Sequence, residues 1–296
     1  MVRYSLPLFL HGDVVVKQTQ LKVEFFDEVI DPEYASKKAR IDFMRIYGGY
    51  RTCYSPNTDV ASIVGVRGMN PSDLSDEAFD EVFVEMQKLV RTCLKSGHQS
   101  PVEHASLTFL VSGCSRVLTH QLVRHRIASY SQQSQRYVDG ENFDYIIPPT
   151  IEAIPEAKER FEKFMAEAIS TYADLKTILV EHKIEPKQAS DDARFVLPNA
   201  TSSVIMVTMN IRSLYNLFHF RCCNRAMWET RNMANQILEI CKRYYPVLFD
   251  EAGPRCIGQK SCPEGKFMCN ERPFMKNHET DEFPFSDAVI IEASSK

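Results

Sequence analysis

Residues 121–138 read QLVRHRIASYSQQSQRYV. The apolar spacing around this stretch predicts a helix over Arg116–Ile127, with Val117, Leu118, Leu122 and Val123 on its buried side. Successive helical residues fan out by about 100°, so Arg124, His125 and Arg126 cannot share one face of such a helix. They would address different ligands or a neighbouring subunit. Beyond Ala128 the chain becomes rich in hydroxyls and amides, with Ser129, Ser131, Gln132, Gln133, Ser134 and Gln135, and Arg136 closes the run. A loop of that kind offers short donors, backbone N–H groups and one guanidinium. The set suits a phosphate and the polar edge of a base.

Charge patterning outward from this stretch supports an anionic ligand. Between Glu103 and Asp139 there is no Asp, Glu or Lys, but there are four arginines, Arg116, Arg124, Arg126 and Arg136. Between Asp192 and Glu229 the pattern recurs with Arg194, Arg212, Arg221 and Arg225. Solvated faces mix lysine with acids, whereas arginine alone inside apolar segments suits planar, bidentate recognition of phosphate or carboxylate. For any single arginine, pairing with an acid elsewhere in the chain is the simpler reading. Two such stretches together favour a bound anion. The net charge of −4 over 296 residues argues against a general nucleic-acid binder.

The rest of the chain alternates helix-like and strand-like patterns without the regular βαβ order of a doubly wound sheet. LKVEFFDEVI at 21–30 reads as a strand, and the stretch around Ala39–Tyr47 as a helix followed by a turn at Pro56. Phe79, Val82, Phe83, Met86, Leu89, Val90 and Cys93 recur at helical spacing, with Ser75 as a cap and Gly97 past the end. ASLTFLVSG and VIMVTMN read as strands. Phe161, Phe164, Met165, Ala168, Tyr172, Leu175 and Leu179 stripe a long helix near Pro155–His182. Two further helices are expected at Ile211–Phe220 and Met227–Tyr244. The fold class is therefore α+β: a mainly antiparallel sheet with several long helices, and not a Rossmann fold. No G-x-G-x-x-G, P-loop, G-x-S-x-G or H-E-x-x-H motif occurs.

Arg124-His125-Arg126, seven residues, then Ser134 resembles the R-H-R-x7-S signature of the flavin-dependent thymidylate synthases. Other segments of the chain resemble that family in the same order. They are Gly97-His98-Gln99-Ser100-Pro101-Val102-Glu103-His104 upstream, then Ala193-Arg194-Phe195-Val196-Leu197-Pro198, and Asn210-Ile211-Arg212-Ser213-Leu214 with Asn216 and Arg221 downstream. The resemblance spans residues 20–250. It divides the chain into an N-terminal extension at 1–20, the enzyme domain at 21–250 and a cysteine-containing tail at 251–296.

The resemblance implies reductive methylation of dUMP to dTMP. The carbon would come from 5,10-methylenetetrahydrofolate, and the electrons from NADPH through FAD. It implies that Gln121, Arg124, Gln132, Gln133, Ser134, Gln135, Arg136, Arg194 and Arg221 hold dUMP. Arg221 would face the pyrimidine and act catalytically by favouring ionisation at N3. For FAD it implies His98, Ser100, Arg124, His125, Arg126, Gln132, Asn210, Arg212 and Asn216. It also implies a homotetramer with shared active sites. Two positions depart from the family pattern. Gln132 stands where many members carry an acid, which keeps an acceptor oxygen but loses the charge. Arg225 stands where some carry histidine, and it takes no assigned role. The competing readings are a non-catalytic nucleotide-binding protein and an RNA-binding protein using the arginine-only stretches.

Nine cysteines in a chain of this length do not make a disulfide scaffold. Cys222 and Cys223 could suggest a thiol nucleophile, but no Asp or Asn is placed to orient His219, and both read as structural. Cys256, Cys262 and Cys269 cluster with a spacing looser than metal knuckles show. Free thiols in a polar tail are the simpler expectation; a structural zinc would need Cys241 or His278 as fourth ligand. The N-terminus lacks a signal-peptide cleavage site, and no apolar run is long enough to cross a bilayer, so a cytoplasmic protein is expected.

Overall fold

The computed structural model of the protein describes residues 18–56, 59, 60, 63, 76–138, 143–258 and 262–269. Its centre is a four-stranded sheet built from β1 (Lys22–Phe25), β2 (Ser106–Ser115), β3 (Ser129–Gln132) and β4 (Ser202–Asn210). The strand order is β1-β2-β4-β3, with every neighbour antiparallel. Leu107, Phe109 and Val111 of β2 and Ile205, Val207 and Met209 of β4 alternate onto one buried face, as period-two side chains must. Leu110, Val204 and Met206 fall on the other face, where with Ser131, Gln132 and Gln133 they line an open depression of about 480 Å³.

Helices cover the buried face. α1 (Phe26–Ile30) and α2 (Pro32–Tyr54) follow β1 directly. The expected strand over 21–30 therefore stops at Phe25, where Asp27 and Glu28 enter a helical first turn and suit its positive end. Asp31 then caps α2, its carboxylate accepting from Glu33 N at 2.9 Å and Tyr34 N at 3.2 Å, with Pro32 at the first helical position. Ala35, Ala39, Asp42, Phe43, Ile46 and Tyr50 form its buried stripe. The buried Asp42 is satisfied by Lys38 Nζ at 2.6 Å, Arg45 at 2.9 Å and the Tyr245 hydroxyl at 2.9 Å, as a desolvated carboxylate requires.

α3 (Asp76–Lys95) ends as the sequence predicts, with Gly97 left-handed at φ +81°; the expected cap, Ser75, lies outside the described residues. β2 carries a bulge between Val111 and Cys114. Gly113 sits there at φ +59°, and a Cβ would come within 2.1 Å of the Gln20 carbonyl oxygen. Only glycine fits that position.

The remaining helices are α4 (Arg116–Leu122), α5 (Pro149–Glu152), α6 (Pro155–Glu181), α7 (Pro186–Ala193), α8 (Ile211–Arg221), α9 (Trp228–Tyr244), α10 (Pro246–Phe249) and α11 (Arg255–Gly258). Of the stripe expected on α6, Met165, Ala168 and Tyr172 are buried but Phe164 is exposed, because this helix packs on a satellite cluster with Tyr145 and Ile147 rather than on the main core. α8 and α9 agree with expectation to within a residue. Of the N-terminal extension only Gln18 and its two successors are described, with Gln18 bridging to Tyr145.

Candidate functional site

α4 is shorter than predicted, and the difference reshapes the motif. Ser115 caps its start, accepting from Leu118 N at 3.0 Å. The Ser115 hydroxyl and backbone N–H both donate to the buried carboxylate of Glu229, the latter at 2.7 Å. The helix stops at Leu122, where a side chain just downstream captures its end: the Tyr130 hydroxyl lies 2.9 Å from Leu122 O and 2.8 Å from His125 O. Arg124, His125 and Arg126 therefore occupy a turn and irregular chain rather than a helix face, and Ser129–Gln132 is an edge strand rather than loop. Leu118 and Leu122 are buried as expected, whereas Val117 and Val123 are substantially exposed. In this bend His125 turns inward and is half-buried, while Arg124 and Arg126 are exposed.

The site residues gather in three groups. In the first, Arg221 at the end of α8 donates from Nε to His125 Nε2 at 3.1 Å and from Nη1 to Gln121 Oε1 at 3.2 Å. A guanidinium only donates, so His125 accepts at Nε2 and is the neutral Nδ1–H tautomer. Burial, and then the neighbouring Arg221 charge, push the His125 pKa down to about 4. Gln121 Nε2 in turn lies 3.3 Å from Met227 Sδ. Arg221 is thus a half-buried cation held by two neutral partners, and burial lowers its own pKa from the usual arginine value.

The second group surrounds Asp191 on α7. Arg136 Nε donates to Oδ2 at 2.6 Å, and Arg194 donates from Nε to the Asp191 carbonyl at 3.2 Å. Arg194 Nη2 is also 3.2 Å from Asp191 Oδ1, within ion-pair range but off the hydrogen-bond direction. That buried oxygen consequently has no hydrogen bond among the described residues. Arg116 stands close by: burial first, and the Arg194 charge second, lower its pKa. Ser134 Oγ accepts from Arg136 N at 3.2 Å, tying the loop into a tight turn. Gln132 points its amide nitrogen inward to Thr119 Oγ1 at 3.1 Å and Ser203 Oγ at 3.2 Å, leaving its oxygen for any ligand. Gln133 and Gln135 are half-buried beside it.

The third group lies at the end of β2 and β4 where Ser106 pairs with Asn210, opposite the Ser115–Ser202 end beside which the second group's Arg116 stands. The ten residues of β2 separate the two ends by roughly 30 Å at the usual strand rise. Here the His98 ring meets Tyr50 and Tyr54 edge-on, and its Nδ1 lies 3.1 Å from the Tyr54 hydroxyl. Ser100 is exposed in the 3-10 turn Ser100–His104. Asn210 Oδ1 caps α8 by accepting from Ser213 N at 2.8 Å, so only its nitrogen faces outward. Arg212 pairs with Glu103, and Asn216 lies one turn further along the same exposed side of α8.

The geometry unites some predicted residues and separates others. Arg136 and Arg194 meet on one carboxylate; among the described residues neither bonds directly to Arg221, and Gln132 links the two groups through Thr119 on α4. Half of the arginines in the arginine-only stretches carry an acidic partner: Arg136 and Arg194 on Asp191, Arg212 on Glu103 and Arg225 on Glu264. Asp191, Tyr54, Tyr130 and Glu229 were not singled out from sequence. Asp191 alone left a signal there, three residues before Arg194 on a short helical run.

In the tail, Cys241 is fully buried on α9, and His278 lies outside the described residues. The cysteine that joins Cys256, Cys262 and Cys269 around a small cavity is Cys223, expected to be merely structural.

Comparison with known proteins gives a consistent picture. A family model described as "Thymidylate synthase complementing protein" matches residues 42–247. A flavin-dependent thymidylate synthase of Nitratidesulfovibrio vulgaris is 46% identical over 236 residues, covering 78% of this chain and 91% of the relative. One from Clostridium tetani is 43% identical over 234 residues, covering 76% and 88% respectively. One from the archaeon Pyrococcus furiosus is 44% identical over 203 residues, covering 66% and 80%.

Proposed function

The chain belongs to the flavin-dependent thymidylate synthase family, and from that premise we propose that it methylates dUMP to dTMP with 5,10-methylenetetrahydrofolate as carbon donor and NADPH as reductant. The observation that carries the reading is the state of Arg221. Among the described residues no carboxylate pairs with it, and Gln121 and a neutral His125 hold it in place. A fixed, partly desolvated cation of this kind stabilises negative charge as it develops on a pyrimidine ring, and it needs no proton transfer of its own.

The donor set fits a flavin dinucleotide. Arg124 and Arg126 are exposed and make no side-chain hydrogen bond or ion pair among the described residues, which leaves two guanidiniums for a diphosphate. His98, Ser100, Arg212, Asn216 and the outward nitrogen of Asn210 supply neutral and cationic donors for the rest. When bound, the flavin would supply the hydride that completes the methyl group.

In this reading Ser134, Arg136 and Arg194 take the phosphate of dUMP, while Gln132, Gln133 and Gln135 offer amides to its polar edges. Arg124 and Gln121 contribute beside Arg221, and His125 orients Arg221 by accepting from it. The family resemblance supports a homotetramer with active sites shared between subunits. The family match to residues 42–247 supports an enzyme domain at 21–250 with flanking segments at 1–20 and 251–296. Among the described residues no helix is long and apolar enough to cross a membrane, which is compatible with a cytoplasmic enzyme.

The test is a dUMP-dependent assay for dTMP with FAD, NADPH and methylenetetrahydrofolate, run beside Arg221→Ala. The parent turns over; the variant loses about 10²–10³ in kcat, the scale for one electrostatic stabiliser, while still retaining flavin. A folded, flavin-loaded parent without turnover would refute the reading in favour of a non-catalytic nucleotide-binding protein.

A further inference from the structure

The described residues of the tail from Pro254 on, 254–258 and 262–269, form no core of their own. They make one turn of α-helix at Arg255–Gly258 and one 3-10 turn at Gly265–Phe267, and none of them is fully buried. A chain this poor in apolar burial does not hold a fixed course by the hydrophobic effect alone. It is nevertheless drawn back onto the turn between α8 and α9. Arg225 in that turn pairs with Glu264 at 3.0 Å, donates to Phe267 O at 3.0 Å and stacks on the Phe267 ring.

Four thiols sit at the centre of this contact. Cys223 comes from the α8–α9 turn, Cys256 from α11, and Cys262 and Cys269 from either side of the 3-10 turn. All four line one cavity of about 50 Å³ with Pro254, Glu264 and Arg225. All are half-buried, and none is in a disulfide.

We propose that Cys223, Cys256, Cys262 and Cys269 form a tetrathiolate site for a thiophilic metal centre, either a zinc ion or an iron–sulfur cluster. Four soft ligands around one cavity are the donor set that both centres take. Among the described residues no three such side chains are already set at coordination geometry, so binding closes the thiols onto the metal and folds the segment with it, as metal-coupled folding does. Cys223 is two residues beyond Arg221, so the centre would also clamp the end of α8.

The full chain, purified without oxygen or chelators from cells supplied with zinc and iron, is desalted and assayed for metals and acid-labile sulfide. The site predicts either about one zinc per chain, or two or four irons with matching sulfide. Cys262→Ser should lower the metal content more than about tenfold, whereas Cys53→Ser, at an exposed cysteine on α2, should leave it unchanged. Should Cys262→Ser fail to fold, alkylation of the parent decides: the four thiols resist iodoacetamide until the metal is stripped. Parent protein that carries no metal, or in which these thiols react freely, overturns the proposal. So does equal metal content in Cys262→Ser.

Discussion

Glu229 gives the sharpest test of how the fold holds the site. Its carboxylate is 2% exposed and accepts from both the backbone N–H and the hydroxyl of Ser115, the residue that caps α4. Glu229→Ala leaves two buried donors without an acceptor, about 1–3 kcal/mol each, and opens a small cavity. The expected loss is about 3–5 kcal/mol. At roughly 2–4 °C per kcal/mol for a domain of this size, the melting temperature falls by on the order of 10 °C. Glu229→Gln keeps one acceptor and costs about 1 kcal/mol.

The pH dependence separates charge from shape. Burial raises the Glu229 pKa, and the two Ser115 hydrogen bonds only partly oppose this. Between the unfolded value near 4.5 and the raised folded value, the folded state binds more proton than the unfolded state. Stability from this group is therefore full below the unfolded value and declines as pH rises through the folded one. Thermal unfolding followed by circular dichroism from pH 4.5 to 8 should show that decline in the parent and lose it in Glu229→Gln. Because Ser115 starts the helix that carries Gln121, Glu229→Ala should also lower kcat/KM, and Glu229→Gln should restore most of it. An Ala variant that melts within about 2 °C of the parent would refute this account.

Other consequences are equally direct. His125, pushed down to about 4 by burial and Arg221, should titrate there by histidine NMR. In Arg221→Ala its pKa should rise only part of the way to 6.5, because burial is the larger cause. The sign for stability follows: the contribution is full above the unfolded value of 6.5 and is lost as pH falls toward 4. At Gly49 an added Cβ would meet Pro101 Cβ at 3.0 Å and His104 Cδ2 at 3.2 Å. Gly49→Ala should therefore shift the turn bearing Ser100, and flavin retention on gel filtration should fall although the helix gains about 1 kcal/mol in propensity. Unchanged retention would show that this turn does not touch the cofactor.

The elements legible in the sequence were those decided locally. β4 alternates cleanly, α6, α8 and α9 carry apolar stripes at helical spacing, and Gly97 stops α3 by its own conformation. What misled were boundaries set by side-chain capture and first-turn charge rather than by apolar period. The end of α4 is decided by the Tyr130 hydroxyl, which no window around residues 116–127 weighs correctly. The switch from strand to helix after Phe25 rests on acids in a first turn that alternation alone does not reveal. At the site, the motif spacing located Arg221, His125 and Gln121, but their mutual contact joins α4 to the end of α8 across 100 residues. The place of Cys223 beside the tail cysteines was hidden for the same reason, since Cys256, Cys262 and Cys269 lie more than 30 positions along the chain.

Asp191 has a consequence for selectivity. If Arg136 and Arg194 take the dUMP phosphate as proposed, that phosphate finds the Asp191 carboxylate already between them and must win an exchange. In that reading the affinity for dUMP is a difference between two sets of charge-assisted contacts, which holds it to a moderate value. Chloride, or a nucleoside lacking its phosphate, offers too little to displace the internal anion. A dianionic phosphate with three acceptor oxygens does. An acid that weakens binding overall thus sharpens the choice of what binds.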